Sequence, residues 1–350
     1  EIIPDEHEFN AEDFYPNDPV VVTMSHLGYI KRTPLSDFRE QARGGVGSKG
    51  ARTRDNDFTE DIYPATMHQT LLFFTKKGRC YWLKCYEIPE GDKNSKGRAI
   101  QNMLNIEADD AVNACMRLRN KGLEDSEFVN SHYVVFATKN GTVKKTPLTE
   151  FANIRKSGII AIDLREEDEL IEVKPTNGEQ EVLLVTKNGQ CIRFKETDVR
   201  PMGRSSMGVR GMKLKDGDEI IGMQLDVQGR YLLFVSENGI GKRTEIEEFS
   251  PQNRGGQGVK CYNIVDKTGD LVGAKAVEEE NEVMIISSGG IVIRMAVDSI
   301  SVNGKYASGV KLINLDEGTV VASIAKVREE KEIESEEGDS VAEETSEENE

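Results

Sequence analysis

The chain has 350 residues, 31% of them charged, and a formal net charge of −17. It contains no run of about 18 apolar residues, so we expect no membrane-spanning segment. Taken alone, the negative charge argues against a polyanionic partner such as nucleic acid.

The excess of acidic residues lies at the two ends of the chain. Residues 1–18 carry seven acidic side chains and no Lys or Arg, and we expect an acidic linker there. Residues 328–350 carry twelve acidic and two basic side chains, with few large apolar ones, which predicts a disordered acidic tail. The body between Pro19 and Val327 has 43 residues of each sign. Its cations can therefore gather on one surface although the whole chain is acidic.

A short β-hairpin recurs six times. In each copy an apolar run rich in β-formers meets a polar turn containing Gly, and a second such run follows. The turn glycines are 50, 63, 48, 50 and 51 residues apart: Gly28, Gly78, Gly141, Gly189, Gly239 and Gly290. A period near 50 indicates a closed ring or a stack of repeated units. We place the units at about 19–69, 70–131, 132–180, 181–230, 231–281 and 282–327.

Each unit contains a second glycine at a nearly fixed distance. The pairs are Gly28/Gly50, Gly78/Gly97, Gly141/Gly158, Gly189/Gly208, Gly239/Gly258 and Gly290/Gly309, and four of these intervals are 19 residues. Another strand, a turn such as 215–218 and a fourth strand such as 220–225 follow. Four short strands per unit with almost no helical periodicity predict an all-β, six-bladed, propeller-like ring. The extra residues of the second unit, at 117–128, indicate a surface loop.

The loops between the second and third strands are basic. Residues 39–54 contain five cationic side chains and four glycines, which suit an approach to phosphate. The fifth unit has a related loop at 252–260. Further rim candidates in such loops are Lys96, Arg98, Arg155, Lys156, Arg204, Arg210, Arg254, Lys260, Lys305 and Lys311. Each loop alone could be a solvated loop whose charges only keep the protein soluble. Six such loops at one rim would form a basic track for a phosphate backbone.

A second set of cations occurs four residues after the turn glycine, within the second strand. These are Arg32, Lys145, Arg193, Arg243 and Arg294, and the second unit has Trp82 there instead. Two interpretations are open for them: rim cations, and side chains whose stems cover apolar surface.

No constellation of catalytic residues is recognisable. The sequence lacks a Gly-x-Ser-x-Gly motif and a His-containing nucleophile arrangement. The first loop, residues 39–54, does not match the phosphate-binding pattern Gly-x-x-x-x-Gly-Lys-Ser/Thr. The four histidines are scattered, so we predict no metal site.

The residues of the first unit resemble a known family, the carboxy-terminal domain of the A subunit of bacterial DNA gyrase. Residues 20–35 carry the resemblance, together with 41–47, Gln-Ala-Arg-Gly-Gly-Val-Gly. The latter segment is similar to the family's signature box, Gln-Arg-Arg-Gly-Gly-Arg/Lys-Gly, with Ala42 and Val46 in place of two cations.

This resemblance implies a six-bladed β-pinwheel in which neighbouring blades exchange strands. It also implies wrapping of duplex DNA around a basic rim in a right-handed sense, largely independent of sequence. The box loop would lie where the ring closes, between the first and last blades. Carried onto this chain, the box residues are Gln41, Arg43, Gly44, Gly45 and Gly47, with Lys49, Arg52 and Arg54 as neighbouring cations.

In this interpretation the chain itself has no catalytic residue and needs no cofactor. ATP and Mg²⁺ would be used by other parts of a topoisomerase that introduces negative supercoils. The partners would be DNA, the gyrase B subunit, and a second A subunit, in the bacterial cytoplasm.

Three alternatives stay open at this point: the related domain of topoisomerase IV, a protein-binding propeller, and an enzyme. For the acidic tail we consider two hypotheses, an intramolecular competitor for the DNA site and a solubilising segment without further role.

Overall fold

Every repeat forms the four predicted β-strands. The computed structural model describes residues 11–25, 27–38, 48–49, 59–92, 94–118, 123 and 125–327. The first strands are Pro19–Ser25 (β1), Thr70–Thr75 (β5), Tyr133–Thr138 (β9), Glu181–Thr186 (β13), Tyr231–Ser236 (β17) and Glu282–Ser287 (β21). The second strands are Tyr29–Pro34 (β2), Arg79–Lys84 (β6), Thr142–Pro147 (β10), Gln190–Lys195 (β14), Ile240–Glu245 (β18) and Ile291–Ala296 (β22).

The third strands are only two residues long, whereas the fourth strands are among the longest. The third strands are Ser48–Lys49 (β3), Arg98–Ala99 (β7), Ile159–Ile160 (β11), Val209–Arg210 (β15), Val259–Lys260 (β19) and Val310–Lys311 (β23). The fourth strands are Thr59–Thr66 (β4), Val112–Arg117 (β8), Leu170–Thr176 (β12), Ile220–Leu225 (β16), Leu271–Val277 (β20) and Val321–Val327 (β24).

Neighbouring repeats exchange their third strands. In every four-stranded antiparallel sheet the order is fourth, first and second strand of one repeat, then the third strand of the next repeat. We call the sheet built on the first and second strands of repeat n blade n, so the third strand of the following repeat is its outermost strand. On blade 6 this strand is β3, which pairs Lys49 with Ile291 and closes the ring. The six-bladed β-pinwheel is confirmed.

The first strands are apolar throughout because both faces of each blade are covered. In β5, Leu71 and Phe73 pack with residues of blade 1, whereas Leu72 and Phe74 pack with residues of blade 3. The other blades repeat this alternation, and the cluster of Val21 with Met284 and Ile286 joins blade 6 to blade 1. The core is therefore a ring of interfaces between blades. Each first strand contributes side chains to two of these interfaces.

The structure corrects one glycine pair. In repeats 2 to 6 the second glycine directly precedes the third strand and has a positive φ. Because β3 begins at Ser48, the equivalent residue of the first repeat is Gly47, not the predicted Gly50. Backbone proximity explains the recurrence: a Cβ on Gly309 would lie 2.0 Å from the Gly241 carbonyl oxygen. Five intervals are then 19 residues, and only the third repeat is shorter, with 17.

Two faces of the ring are defined by the second strands. Each starts at the hairpin turn on what we call the upper face and ends at a short 3₁₀ helix on the lower face. These helices are Leu35–Asp37, Cys85–Glu87, Leu148–Phe151, Glu196–Asp198, Ile246–Glu248 and Val297–Ser299. In repeats 2 to 6 the chain then forms a crossover loop, which runs along the outer edge of the preceding blade to the third strand.

The region predicted as a surface loop at 117–128 is partly regular. Strand β8 continues to Arg117, and an α-helix, Ser126–Ser131 (α1), precedes β9. Asp125 caps this helix by accepting a hydrogen bond from the Phe128 amide. Among the described residues, no helix is long and apolar enough to span a membrane.

Part of the predicted linker packs on the ring. The Tyr15 ring stacks on Tyr86 with centroids 5.1 Å apart, and Glu12 pairs with Lys84 at 2.6 Å. His68 Nε2 lies 2.6 Å from the Tyr15 carbonyl oxygen. Residues 11–18 therefore lie against the lower face of blade 2, an attachment that their acidic composition did not predict.

Candidate nucleic-acid interface

Exposed cations recur at the outer edges of the blades. Arg210, Lys260 and Lys311 are the second residues of their outermost strands, pair with the first residues of β10, β14 and β18, and are exposed. Lys49 has the same register position on blade 6. On blade 1 the exposed cation is Arg98, one residue earlier on β7. The two-residue strands thus carry a cation at nearly one level on five successive blades.

The crossover loops contribute further cations, four residues before the second glycine. Arg204 contacts Glu150 at 3.6 Å and donates to the Ile160 carbonyl at 3.1 Å, and Arg254 donates to the carbonyls of Asp198 and Arg210. Lys305 donates to the Glu248 carbonyl. These half-buried side chains tie the crossover loop to the preceding third strand or to a 3₁₀ helix, so backbone carbonyls already occupy part of their donor capacity.

Three more predicted rim residues lie in the loops of repeats 2 and 3. The Lys96 ammonium group lies 3.6 Å from the centroid of the Tyr29 ring, a cation–π contact. Arg155 and Lys156 are exposed, on the outer edge of blade 2. The structure brings all three to the same outer surface as the third strands.

The cations four residues after the turn glycine do not lie on the rim. Arg32, Lys145, Arg193 and Arg243 are 4–8% exposed, so of the two interpretations the structure contradicts that of rim cations. Arg294 is partly buried and paired with Glu282. For Arg32, Lys145, Arg193 and Arg243 the physical reason is the strand exchange, which covers the second strand with the crossover loop of the next repeat.

Each of these side chains reaches the lower end of the following blade. Arg32 donates to Glu90 at 2.8 Å, while the others donate to backbone carbonyls at or just after the next 3₁₀ helix. The contacts are Lys145 with Glu196 (3.1 Å), Arg193 with Ile246 and Phe249 (both 3.2 Å), Arg243 with Ile300 (2.8 Å) and Arg294 with Phe38 (2.9 Å). In repeat 2 the Trp82 indole replaces the cation and donates to Ile154 at 3.1 Å. Six donors thus clamp consecutive blades.

Three buried lysines were not predicted. Lys31, Lys144 and Lys242 lie three residues after the turn glycine in alternate repeats, and their ammonium groups donate to carbonyls that include Asp92, Arg204 and Gly304 of the next crossover loop. Burial lowers the pKa of Lys31 and Lys242 to about 8 and, with the nearby Arg204, that of Lys144 to about 7. A lysine followed by a second cation in a strand gives no sign of which side chain faces inward.

The Lys144→Met variant is expected to lose part of the pH dependence of the free energy of unfolding. Between pH 7 and about 10.5 the unfolded chain keeps the Lys144 proton that the folded chain releases, so this group makes folding more favourable as pH rises. The free energy of unfolding of the wild type, relative to the variant, should therefore increase over this window. Urea unfolding at pH 6.5, 8 and 9.5 measures it, with the exposed Lys195→Met as control. Parallel pH profiles of wild type and Lys144→Met would contradict the assignment.

The predicted box lies mostly outside the described residues. Gln41, Arg43, Gly44, Gly45, Gly47, Arg52 and Arg54 belong to the segments that the structure leaves undescribed, and of Lys49 the strand position alone is described. Their role as DNA contacts stays a prediction. The pairing of β3 with β22 does join the first repeat to the last blade, at the position implied for the box.

Comparison with known proteins gives the family. A family model described as the DNA gyrase C-terminal domain, a beta-propeller, matches residues 19–66, 69–119, 132–177, 180–225, 230–278 and 281–328. The DNA gyrase A protein of Halalkalibacterium halodurans is 54% identical over 322 residues, which are 92% of this chain and 38% of that protein. Its Salmonella typhimurium counterpart is 39% identical over 94% of this chain and 37% of its own length. The chain thus spans about two fifths of these relatives.

Two solved structures share the fold. A DNA gyrase A C-terminal domain superposes with a TM-score of 0.79 and 27% identity, covering 89% of this chain and all of that one. The C-terminal domain of DNA topoisomerase IV gives 0.66 and 26% identity, over 89% of this chain and 94% of that one. With six matched repeats and a relative that is 54% identical over 92% of it, the chain belongs to the family of DNA gyrase A C-terminal domains.

Proposed function

We propose that this chain binds duplex DNA along the outer edges of its blades and bends it around the ring, as the non-catalytic DNA-wrapping domain of a gyrase A protein. The observation that carries the proposal is the cation at nearly one level on successive outermost strands. A curved row of such charges follows a phosphate backbone and releases its counterions, while it reads no base edges. The affinity then depends on salt and on the deformability of the duplex more than on its sequence.

The wider context belongs to the same proposal. The wrap would be right-handed and would let a complete enzyme, with a second A subunit, the B subunit, ATP and Mg²⁺, introduce negative supercoils in the bacterial cytoplasm. The box residues Gln41, Arg43, Gly44, Gly45 and Gly47, with Lys49, Arg52 and Arg54, would hold the duplex where the ring closes.

A bending assay tests the proposal. Energy transfer between dyes at the ends of a duplex of about 150 base pairs, one persistence length, is recorded over a salt series. We expect bending that weakens steeply with salt, and a loss of bending when Arg43, Lys49, Arg52 and Arg54 are changed to Ala. Binding that is equally tight at low and high salt would overturn the proposal, and a stable protein partner with no DNA affinity would favour the protein-binding scaffold.

The acidic tail allows a separate prediction. Its twelve acidic residues follow β24, the strand of blade 6 farthest from the outermost strand, and are tethered to the same ring as the rim cations. They therefore compete with phosphate at an effective concentration of up to about millimolar. Removing residues 328–350 should therefore tighten DNA binding, most strongly at low salt. A tail-deleted chain with unchanged affinity and bending at low salt would instead identify the segment as solubilising.

A further inference from the structure

A channel runs along the axis of the ring. It is lined by the fourth strands, which are the innermost strands of the blades, and residues of all six blades contribute to its wall. Its volume is about 600 Å³, within the range of about 300 to 1,000 Å³ that is usual for small-ligand sites. The proposed function uses the outer edges of the blades and assigns no role to this channel.

The lower half of the channel is positively charged. Two successive levels of the fourth strands lie opposite Leu71 and Leu72 of β5 and the equivalent residues of the other first strands. None of the twelve fourth-strand residues at these levels is acidic, and four are cations that line the channel: Arg117, Lys174, Lys275 and Lys326. The nearest acidic positions on these strands, Asp61 and Glu172, lie at least two levels higher.

The upper end of the channel has the opposite charge. The lining residues that follow a first strand or precede a fourth strand lie there. Three of them are acidic and one is basic: Glu219, Glu237, Asp270 and Lys187. An anion is therefore repelled from the upper mouth and attracted to the lower half, so its binding site and its entrance are on the same side.

A network across three blades positions two of the cations. One oxygen of the Glu172 carboxylate lies 3.2 Å from the Lys174 ammonium group and 3.4 Å from that of Lys275, which reaches it from blade 5. The same oxygen accepts a hydrogen bond from the Gln224 amide at 3.3 Å. The two lysines thus share one carboxylate oxygen, and in the part of the chain that the structure describes it is the one hydrogen-bond partner of Lys275.

The positive charge of this network is only partly compensated. The side chains of Lys174 and Lys275 are 13% and 27% exposed. Burial lowers the pKa of Lys174 to about 8; Glu172 opposes this shift, whereas Lys275 and Arg117 add to it. A second anion beside these groups would offset the repulsion between them.

Arg117 and Lys326 extend the positive region by one level. Arg117 donates to the Pro64 carbonyl of blade 1, and Lys326 donates to the Gln228 carbonyl at 2.9 Å. Both side chains therefore bridge neighbouring inner strands. A ligand would meet cations that are already held in place, so little conformational entropy is lost when it binds.

We propose that the lower half of the channel binds a small polyanion of the condensed-phosphate class, such as inorganic tripolyphosphate or the phosphate chain of a nucleotide. The cations come from blades 2, 3, 5 and 6 and surround the lumen, so linked phosphates reach several of them, whereas a single phosphate reaches fewer. Hydrogen bonds between Lys or Arg and phosphate are charge-assisted, and they are stronger at a half-buried site than in water. The site is separate from the outermost strands and does not require DNA.

Calorimetric titration of the full chain with sodium tripolyphosphate tests the proposal, at about 0.1 M salt to screen distant charges. The channel variant carries Lys275→Gln and Lys326→Gln. The matched control carries Lys260→Gln and Lys311→Gln, which remove the same charge from two outermost strands. Lys275→Gln alone is the milder channel variant, and circular dichroism with urea denaturation checks the folding of each protein.

We expect the wild type to bind one tripolyphosphate per chain. Because a hydrogen bond from a charged donor contributes about tenfold or more, Lys275→Gln should lower the affinity about tenfold and the channel variant about a hundredfold. The control should stay within about fivefold of the wild type. No binding by the wild type, an unchanged affinity in the channel variant, or an equal loss in the control would overturn the proposal.

ATP titrated in the same way distinguishes the two sources of a phosphate chain. Equal affinities for ATP and tripolyphosphate would support a site that recognises phosphates alone, and tighter binding of ATP would support one that also holds the nucleoside. These titrations contain no DNA, so a failure of this proposal is distinguishable from a failure of the proposed function.

Discussion

Changing Arg98, Arg210, Lys260 and Lys311 together to alanine is expected to reduce DNA affinity on the order of a thousandfold at 0.1 M salt. Each of these exposed cations that neutralises one phosphate contributes about 0.9 to the slope of log K against log salt. Four contacts therefore account for about 3.6 units of slope, and the slope is the quantity to measure, by fluorescence anisotropy of a labelled duplex between about 50 and 300 mM salt.

The control is a variant with the same loss of charge. Lys76, Lys195, Lys215 and Lys267 are exposed lysines that lie off the outermost strands, so their replacement by alanine changes the net charge equally. We expect this variant to lose little slope, because distant charges are screened within about 10 Å. If both variants weaken binding to the same extent, the chain attracts DNA by its overall field and the outermost strands are not the binding surface.

The repeats could be predicted because each hairpin carries its own signals. An apolar run, a turn glycine with a positive φ and a second run are local features, and all six turn glycines adopt that conformation. The partner of a two-residue strand is not a local feature. Nothing in Val209–Arg210 indicates that this strand pairs with the second strand of the preceding repeat. The prediction of strand exchange rests on the family resemblance alone.

The sequence predicts which cations belong to the candidate site, but it does not predict which of their side chains face solvent. Arg193 and Arg210 are both cations beside β-forming residues, yet one is buried against the next blade and the other is exposed. Strand register decides between them, and a shift of one residue exchanges the two faces. The first repeat shows the same limit, since Gly47 and Gly50 both fit a glycine pattern until the position of β3 is known.

Arg193→Ala is expected to lower the free energy of unfolding by about 3 kcal/mol. The substitution leaves Glu181, whose side chain is 17% exposed, without its ion pair. It also removes the guanidinium donor from the carbonyls of Ile246 and Phe249, of which the Ile246 carbonyl keeps the Phe249 amide. Urea denaturation measures the loss. Adding Glu181→Gln to Arg193→Ala should restore part of it, because a neutral amide is less costly to leave unpaired than a carboxylate.

The decisive comparison is between this clamp and a rim cation of the same charge. Lys260→Ala should change stability by less than about 0.5 kcal/mol, as is usual for an exposed site, while it lowers the salt slope of DNA binding by about 0.9. Arg193→Ala should do the reverse wherever it is still folded. If Arg193→Ala also lowered the slope by about one unit, the arginine would contact phosphate, and its burial between blades 4 and 5 would have to open when DNA binds. A clean exchange of effects would show that the ring uses one set of cations to hold its blades together and another to hold DNA.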